Sequence, residues 1–306
     1  MKHTNSDQLA AIRAHLKQLN HPNRTLEEIR RNMEEAPIGA VVMDGITEPV
    51  NIGGLNGEWV STSEVNEAEN SQVVLYFHGG GFSAGTCRFY RDLAARISHF
   101  SGVKVLTFEY RLAPEYPYPA ANDDALAAYN WLREKGYSAS QIMFGGDSIG
   151  ATLALMTLIT LRDKGEALPA GAFLLSPHAD LVHLDGESYQ INKENDPTGS
   201  LEGSQAIIQT YLGDWQGNPP GILSPVQMNL EKLPPLYIQV GALEVLLSDA
   251  VRLSERAEQA GVDVTIEIWD NMWSVFQFLA YMLPEAEQAI RNIGIFNKEK
   301  LLECNR

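Results

Sequence analysis

The sequence predicts an α/β protein with a mostly parallel sheet and helices on both faces. Three observations point there. From about residue 73 onward, short runs rich in Val, Leu, Ile, Phe and Tyr alternate with longer segments whose apolar residues recur at helical spacing. The short runs are apolar along their whole length, as in strands buried on both faces. The chain has 306 residues, 44% hydrophobic and 20% charged, which is enough to fill one large core.

Residues 7–36 are rich in charge, with Leu9, Ile12, Leu16 and Leu19 at helical spacing, and predict a helical N-terminal segment. Residues 40–60 predict two short strands around turns at Asp44-Gly45 and Gly53-Gly54. The alternation then begins with strand 73–77 (VVLYF), helix 89–101, strand 103–109, helix 121–135, strand 141–145, helix 149–163 and strand 171–176. Residues 182–232 break the rhythm. They are polar, rich in Gly, Pro and Asn, and carry one short helix near 201–212, which predicts an excursion forming part of a lid. Strand 235–240, helix 248–260, strand 263–269 and helix 275–292 complete the unit. The chain reads as a single domain, 1–306, with a cap formed by about 1–38 and 183–219.

A net charge of −16 repels phosphate backbones, so nucleic acid is not an expected partner. No run approaches the ~20 apolar residues of a membrane span. The N-terminus shows no apolar signal core, so a cytoplasmic location without membrane attachment is expected. Cys87 and Cys304 lie far apart, and the histidines form no HxxxH or HExxH spacing, so neither a metal nor another cofactor is expected.

Two motifs carry chemistry. GGDSIG (145–150) lies between a strand and a helix and contains G-x-S-x-G as Gly146, Ser148 and Gly150. Glycines at those places permit the tight turn that lifts a serine oxygen above the sheet. HGGGF (78–82) follows strand 73–77; its glycines let backbone N–H groups approach a ligand oxygen, and Gly79, Gly80 and Ile149 are the expected oxyanion-hole donors. His78 reads as a structural hydrogen-bonder of this loop, and Asp147 as one of the serine turn. Phe82, Asp147, His183 and Trp273 are expected at the substrate pocket.

HGGGF, YRLAPE (110–115), GDSIG and the tail VTIEIWDNMWSVFQ (264–277) together resemble the hormone-sensitive-lipase-like branch of the α/β-hydrolase fold, a family of carboxylesterases. The resemblance covers essentially the whole chain. It implies an α/β-hydrolase fold with a mostly parallel eight-stranded sheet, a helical cap, and a Ser–Asp–His triad acting on short acyl esters. It also implies that Ser148 is the nucleophile. Two positions depart from the family. Against the pattern G-(S/D)-D-E-x-L-x-D-D, GALEVLLSD (241–249) matches at Gly241, Glu244, Leu246 and Asp249 and places Leu243 on the triad acid. Against W-x-x-M-x-H-V-F, WDNMWSVF (269–276) places Ser274 on the triad histidine, and no histidine follows His183.

Serine has no base strength near neutral pH, and deleting the histidine of a serine hydrolase costs about 10⁶ in kcat. The leading expectation is therefore an enzyme of altered, non-hydrolytic chemistry: cyclisation, elimination or isomerisation of a carbonyl-containing small molecule held by the oxyanion hole. A carboxylesterase of short acyl esters, weak or with a relocated base, is the alternative. His178, in SPHADL, is the leading candidate for that base, whereas Glu244 reads as a structural partner. A small-molecule-binding pseudoenzyme is the third reading. A carbonyl or ester ligand is the expected partner, and family members often pair as homodimers.

Overall fold

The computed structural model describes residues 4–20, 24–35, 43, 45–63, 65 and 71–303. Helices α1 (Ser6–Leu19) and α2 (Leu26–Glu35) come first, followed by a hairpin of β1 (Gly45–Ile52) and β2 (Leu55–Thr62) that turns at Gly53-Gly54. The alternating part is β3 (Val73–Phe77), α3 (Cys87–Ser101), β4 (Lys104–Phe108), α4 (Ala120–Glu134), β5 (Ile142–Asp147), α5 (Ile149–Asp163) and β6 (Gly171–Leu175). The excursion carries α6 (Ser188–Ile191) and α7 (Leu201–Leu212). Then come β7 (Leu236–Gly241), α8 (Leu247–Gln259), β8 (Val264–Trp269) and α9 (Pro284–Glu303).

All the strands join one eight-stranded sheet in the order β1-β2-β4-β3-β5-β6-β7-β8. The hairpin attaches to β4 antiparallel, and every pairing from β4 through β8 is parallel. This is the α/β-hydrolase arrangement that the resemblance implied. Register aligns the carboxyl ends of the central strands, with Phe77 beside Gly146, Asp147 beside Leu175, and Gly241 beside Trp269. Loops leaving those ends therefore share one edge of the sheet, the place where open α/β sheets build their sites.

The sheet divides two apolar layers. α4, α5 and α8 pack on one face through residues such as Leu132, Leu155, Ile159 and Leu253; α3 and α9 pack on the other through Leu93, Ile97, Ile290 and Ile293. Nearly every residue of α5 is buried, as its all-round apolar composition requires. Its N-terminus is therefore a rigid mount. Within the excursion, Ser200 caps α7 by accepting from the Gly203 N–H, and the Tyr211 ring stacks on Phe82 at 3.7 Å. Arg30 of α2 donates to the carbonyls of Ser83 and Ala113 and pairs with Glu115.

Two expected elements are revised. The helical stretch 7–36 is divided into α1 and α2, and the residues between Asn20 and Arg24 lie outside those described. The helix expected over 275–292 does not form as one piece. Phe276–Leu279 makes a short 3₁₀ turn behind Val275, whose φ is +51°, and α9 begins only at Pro284. Proline has no N–H to donate and sits without penalty in a helix's first turn, not its middle. Cys304, the Asp44 half of one expected turn and residues 1–3 and 36–38 of the expected cap lie outside the described residues. No helix among the described residues is long and apolar enough to cross a membrane.

Candidate active site

Ser148 stands between β5 and α5 with φ 50° and ψ −124°. A non-glycine residue pays about 1–3 kcal/mol for such a backbone, and the surroundings hold it there. Its N–H donates to the Leu175 carbonyl at 2.7 Å. The glycines around it are demanded by contact: a Cβ on Gly150 would lie 2.0 Å from the Phe77 carbonyl oxygen, and one on Gly146 2.6 Å from the Gly150 backbone. α5 therefore starts hard against the 78–81 loop. Among the described residues, no side chain takes a hydrogen bond from the Ser148 hydroxyl.

The three glycines of that loop do different work. Gly79 donates its N–H inward to the Asp147 carboxylate at 3.0 Å and to the Tyr90 hydroxyl at 2.8 Å. This corrects the expectation that Gly79 faces a ligand oxygen. Within the described residues, the N–H groups of Gly80, Gly81 and Ile149 donate to no protein atom, so these remain open to a ligand. His78 is fully buried, stacks on Tyr110 at 4.1 Å and bonds the Gly79 carbonyl through Nδ1. Burial drives its pKa down to about 4, so it stays neutral and fixes the loop.

Asp147 and Trp273 do not line a pocket as expected. Asp147 is buried beneath the serine, taking hydrogen bonds from Tyr76 and Tyr90 at 3.0 Å each. Burial outweighs these donors and pushes its pKa up to about 7. Trp273 is 2% exposed and packs into the layer beside α3 and α9. Phe82 is buried against Tyr211. His183 has a largely exposed side chain whose Nδ1 is bonded to Asp180 at 2.9 Å. His178 is buried, and its carbonyl accepts from Thr152 Oγ1, one helical turn after Ser148. Its Nδ1 has no partner among the described residues, and desolvation lowers its pKa to about 4.

The loops after β7 and β8 run together. Ala242 N–H donates to the Trp269 carbonyl at 2.9 Å and Leu243 N–H to the Met272 carbonyl at 3.0 Å, which brings Leu243 and Ser274, both half-buried, into one neighbourhood. Ser176, with φ 49°, follows β6 directly and links the parts. Its Oγ donates to Glu244 Oε1 at 2.8 Å and accepts from the Val275 N–H at 3.1 Å. Leu175 and Ser176 thus hold the Ser148 turn on one side and the Ser274 loop on the other. Glu244 is fully buried, and Oε1 also accepts from the Gly241 N–H. Reading the sequence missed Ser176, while Glu244 is the structural partner it was read as. Ser-Pro after a strand was the available signal for the first, but the contact to Glu244 depends on the register of β6 with β7.

An open cleft of about 610 Å³ lies elsewhere, between Thr4, Trp269, Glu285 and Arg291, and includes no residue of the serine turn.

A strained serine at the carboxyl edge of a parallel sheet, beside a glycine loop with unpaired N–H groups, has the form of the nucleophile turn of the α/β-hydrolase class. Residues 74–278 match the family model described as the alpha/beta hydrolase fold, and the chain belongs to that family, in its hormone-sensitive-lipase-like branch. It is 37% identical to an esterase of Acinetobacter venetianus over 81% of this chain and 80% of that protein. It is also 37% identical to an acetyl-hydrolase of Streptomyces hygroscopicus, over 81% of each chain. A crystal structure of an esterase from the bacterial hormone-sensitive lipase family superimposes with a TM-score of 0.90 at 38% identity, covering 97% of this chain and 99% of that one. These relatives overturn the expectation of a non-hydrolytic cyclase, eliminase or isomerase: at this similarity the company the chain keeps consists of ester and acetyl hydrolases.

Proposed function

We propose that the protein is a carboxylesterase acting on short acyl esters, with Ser148 as nucleophile and the N–H groups of Gly80, Gly81 and Ile149 as the oxyanion hole. The observation that carries the reading is the strained Ser148 backbone set against the unpaired N–H groups of the glycine loop. Such strain fits a hydroxyl presented to a substrate. The 37% identity with a named esterase and a named acetyl-hydrolase supports the same chemistry. Leu243 and Ser274 replace the acid and histidine of the family pattern, so the proton of Ser148 goes to a different acceptor. Among the described residues, the proposed cap reaches the glycine loop through Tyr211 of α7, stacked on Phe82.

The test is kcat/KM on p-nitrophenyl butyrate for the native chain, Ser148→Ala and the Leu243→Asp/Ser274→His double variant. The native chain exceeds Ser148→Ala by about 10²-fold or more, the range a working general base supplies. The double variant is faster still. A native rate no higher than that of Ser148→Ala refutes the reading.

A further inference from the structure

Glu244 is a carboxyl buried to 0% exposure at the carboxyl edge of the sheet, and only one of its oxygens is satisfied. Oε1 accepts from Ser176 Oγ and from the Gly241 N–H, while Oε2 is buried with no hydrogen-bond partner among the described residues. A buried oxygen left without a partner is costly, and its presence calls for an explanation. The Ser274 hydroxyl bears on this carboxyl and favours its ionised form, though without a closed bond to Oε2. Ser274 is half-buried, so part of the residue meets solvent. The excursion seals the carboxyl from above: Asn192 Nδ2 donates to the carbonyls of Ala242 and Glu244, and Asp196 accepts from the Val245 N–H at 2.8 Å.

From this geometry we infer that Glu244 is the proton acceptor that replaces the missing histidine, working through the Ser274 hydroxyl and one water to Ser148. The inference rests on the carboxylesterase reading. In acylation, Ser148 Oγ bonds to the ester carbonyl carbon and its proton passes to the water. The water passes a proton to Ser274, and Ser274 passes its own to Glu244 Oε2. The bond from carbon to the leaving oxygen then breaks, and the departing alkoxide takes a proton back along the same path. In deacylation the attacking water loses its proton to Glu244 by this route, and Ser148 recovers one as the acid leaves.

Burial, with the charge of Asp196 beside it, pushes the Glu244 pKa up to about 8, against the Gly241, Ser176 and Ser274 donors that favour ionisation. A carboxylate with that affinity is a far better base near neutral pH than an ordinary one. His178, lowered to about 4 by burial, is a weaker proton acceptor. Asp196 is itself raised by burial and sits across the loop from the carboxyl.

The experiment follows two rates from pH 6 to 10 in the native chain, Glu244→Gln, Ser274→Ala and His178→Phe. One is kcat/KM on p-nitrophenyl butyrate above the Ser148→Ala blank. The other is covalent labelling of Ser148 by a fluorophosphonate, which reads serine activation without turnover. Glutamine preserves both acceptor bonds of Oε1, and far-UV circular dichroism checks its fold; Ser274→Ala tests the same path at a half-buried site. The native chain shows both rates rising through about pH 8. Glu244→Gln loses the rise in both and falls by roughly 10²-fold or more, Ser274→Ala loses most of it, and His178→Phe keeps it. Glu244→Gln with the native pH profile, or His178→Phe without it, overturns the inference, as does a native Ser148 that fails to label. Native turnover that is unaffected by Glu244→Gln would leave the esterase reading standing and this inference refuted. Absent turnover with Glu244-dependent labelling would do the reverse.

Discussion

A methyl group on residue 80 would stand 2.2 Å from the carbonyl oxygen of Ala84, and the residue's φ of +108° suits glycine alone. Gly80→Ala must therefore move the loop that carries the unpaired N–H groups. The expected outcome is a fall of about 10²–10³ in kcat on p-nitrophenyl butyrate with a smaller change in KM, as for the loss of one oxyanion donor. An unchanged kcat would remove Gly80 from the site. At this scale the sequence was legible wherever function is local. Ser148 and the glycine loop announce themselves because the turn and the close approach are written in adjacent residues. The inward aim of the Gly79 N–H was not legible, since it depends on Asp147 and Tyr90 arriving from other elements. Neither was the meeting of Glu244 with Ser176, sixty-eight positions apart in the chain.

Among the elements, α7 meets the glycine loop through the Tyr211 ring and through Ile207, which lies beside Gly81. Tyr211 stacks on Phe82 and donates from its hydroxyl to Asn122 at 2.6 Å. Tyr211→Ala removes both contacts and leaves a cavity, with an expected loss of about 3 kcal/mol in urea unfolding. A loss below ~1 kcal/mol would mean that the cap segment is held by other means. Strands β3 to β8 were readable to within a residue or two because apolar runs bounded by turn residues leave little choice of register. The stretch 275–292 misled because Val275, Phe276, Phe278, Leu279 and Leu283 suit a helix by spacing, yet positive φ at Val275 and the start at Pro284 are imposed from outside. The short α6 had no periodicity to betray it and is made by tertiary bonds such as Ser188 Oγ to the Val245 carbonyl.

For the molecule as a whole, buried acids set the pH response. Asp147 and Glu244 are raised to about 7 and about 8 from ordinary values of 3.8 and 4.5. Each binds its proton more tightly folded than unfolded. Their contribution is thus complete below about pH 4 and is lost as pH rises through the folded values. Asp249 and Asp196 act in the same direction, and Asp180, lowered by its donors, opposes them. The free energy of unfolding in urea is expected to decline between pH 5 and pH 9, with a slope of up to ~1.4 kcal/mol per pH unit for each such group. Asp147→Asn flattens the decline. A native profile that rises across this interval would show that neither carboxyl is desolvated as described. A net charge of −16 adds self-repulsion on the same side, and salt relieves that part alone.

The dipeptide Leu175-Ser176 grips Ser148 and Val275 by the N–H of one and the N–H of the other. Neither grip touches the side chain at 274. The backbone beside that position is held without its side chain. A lineage is then free to exchange the proton-handling part while the nucleophile stays mounted, and to exchange it back.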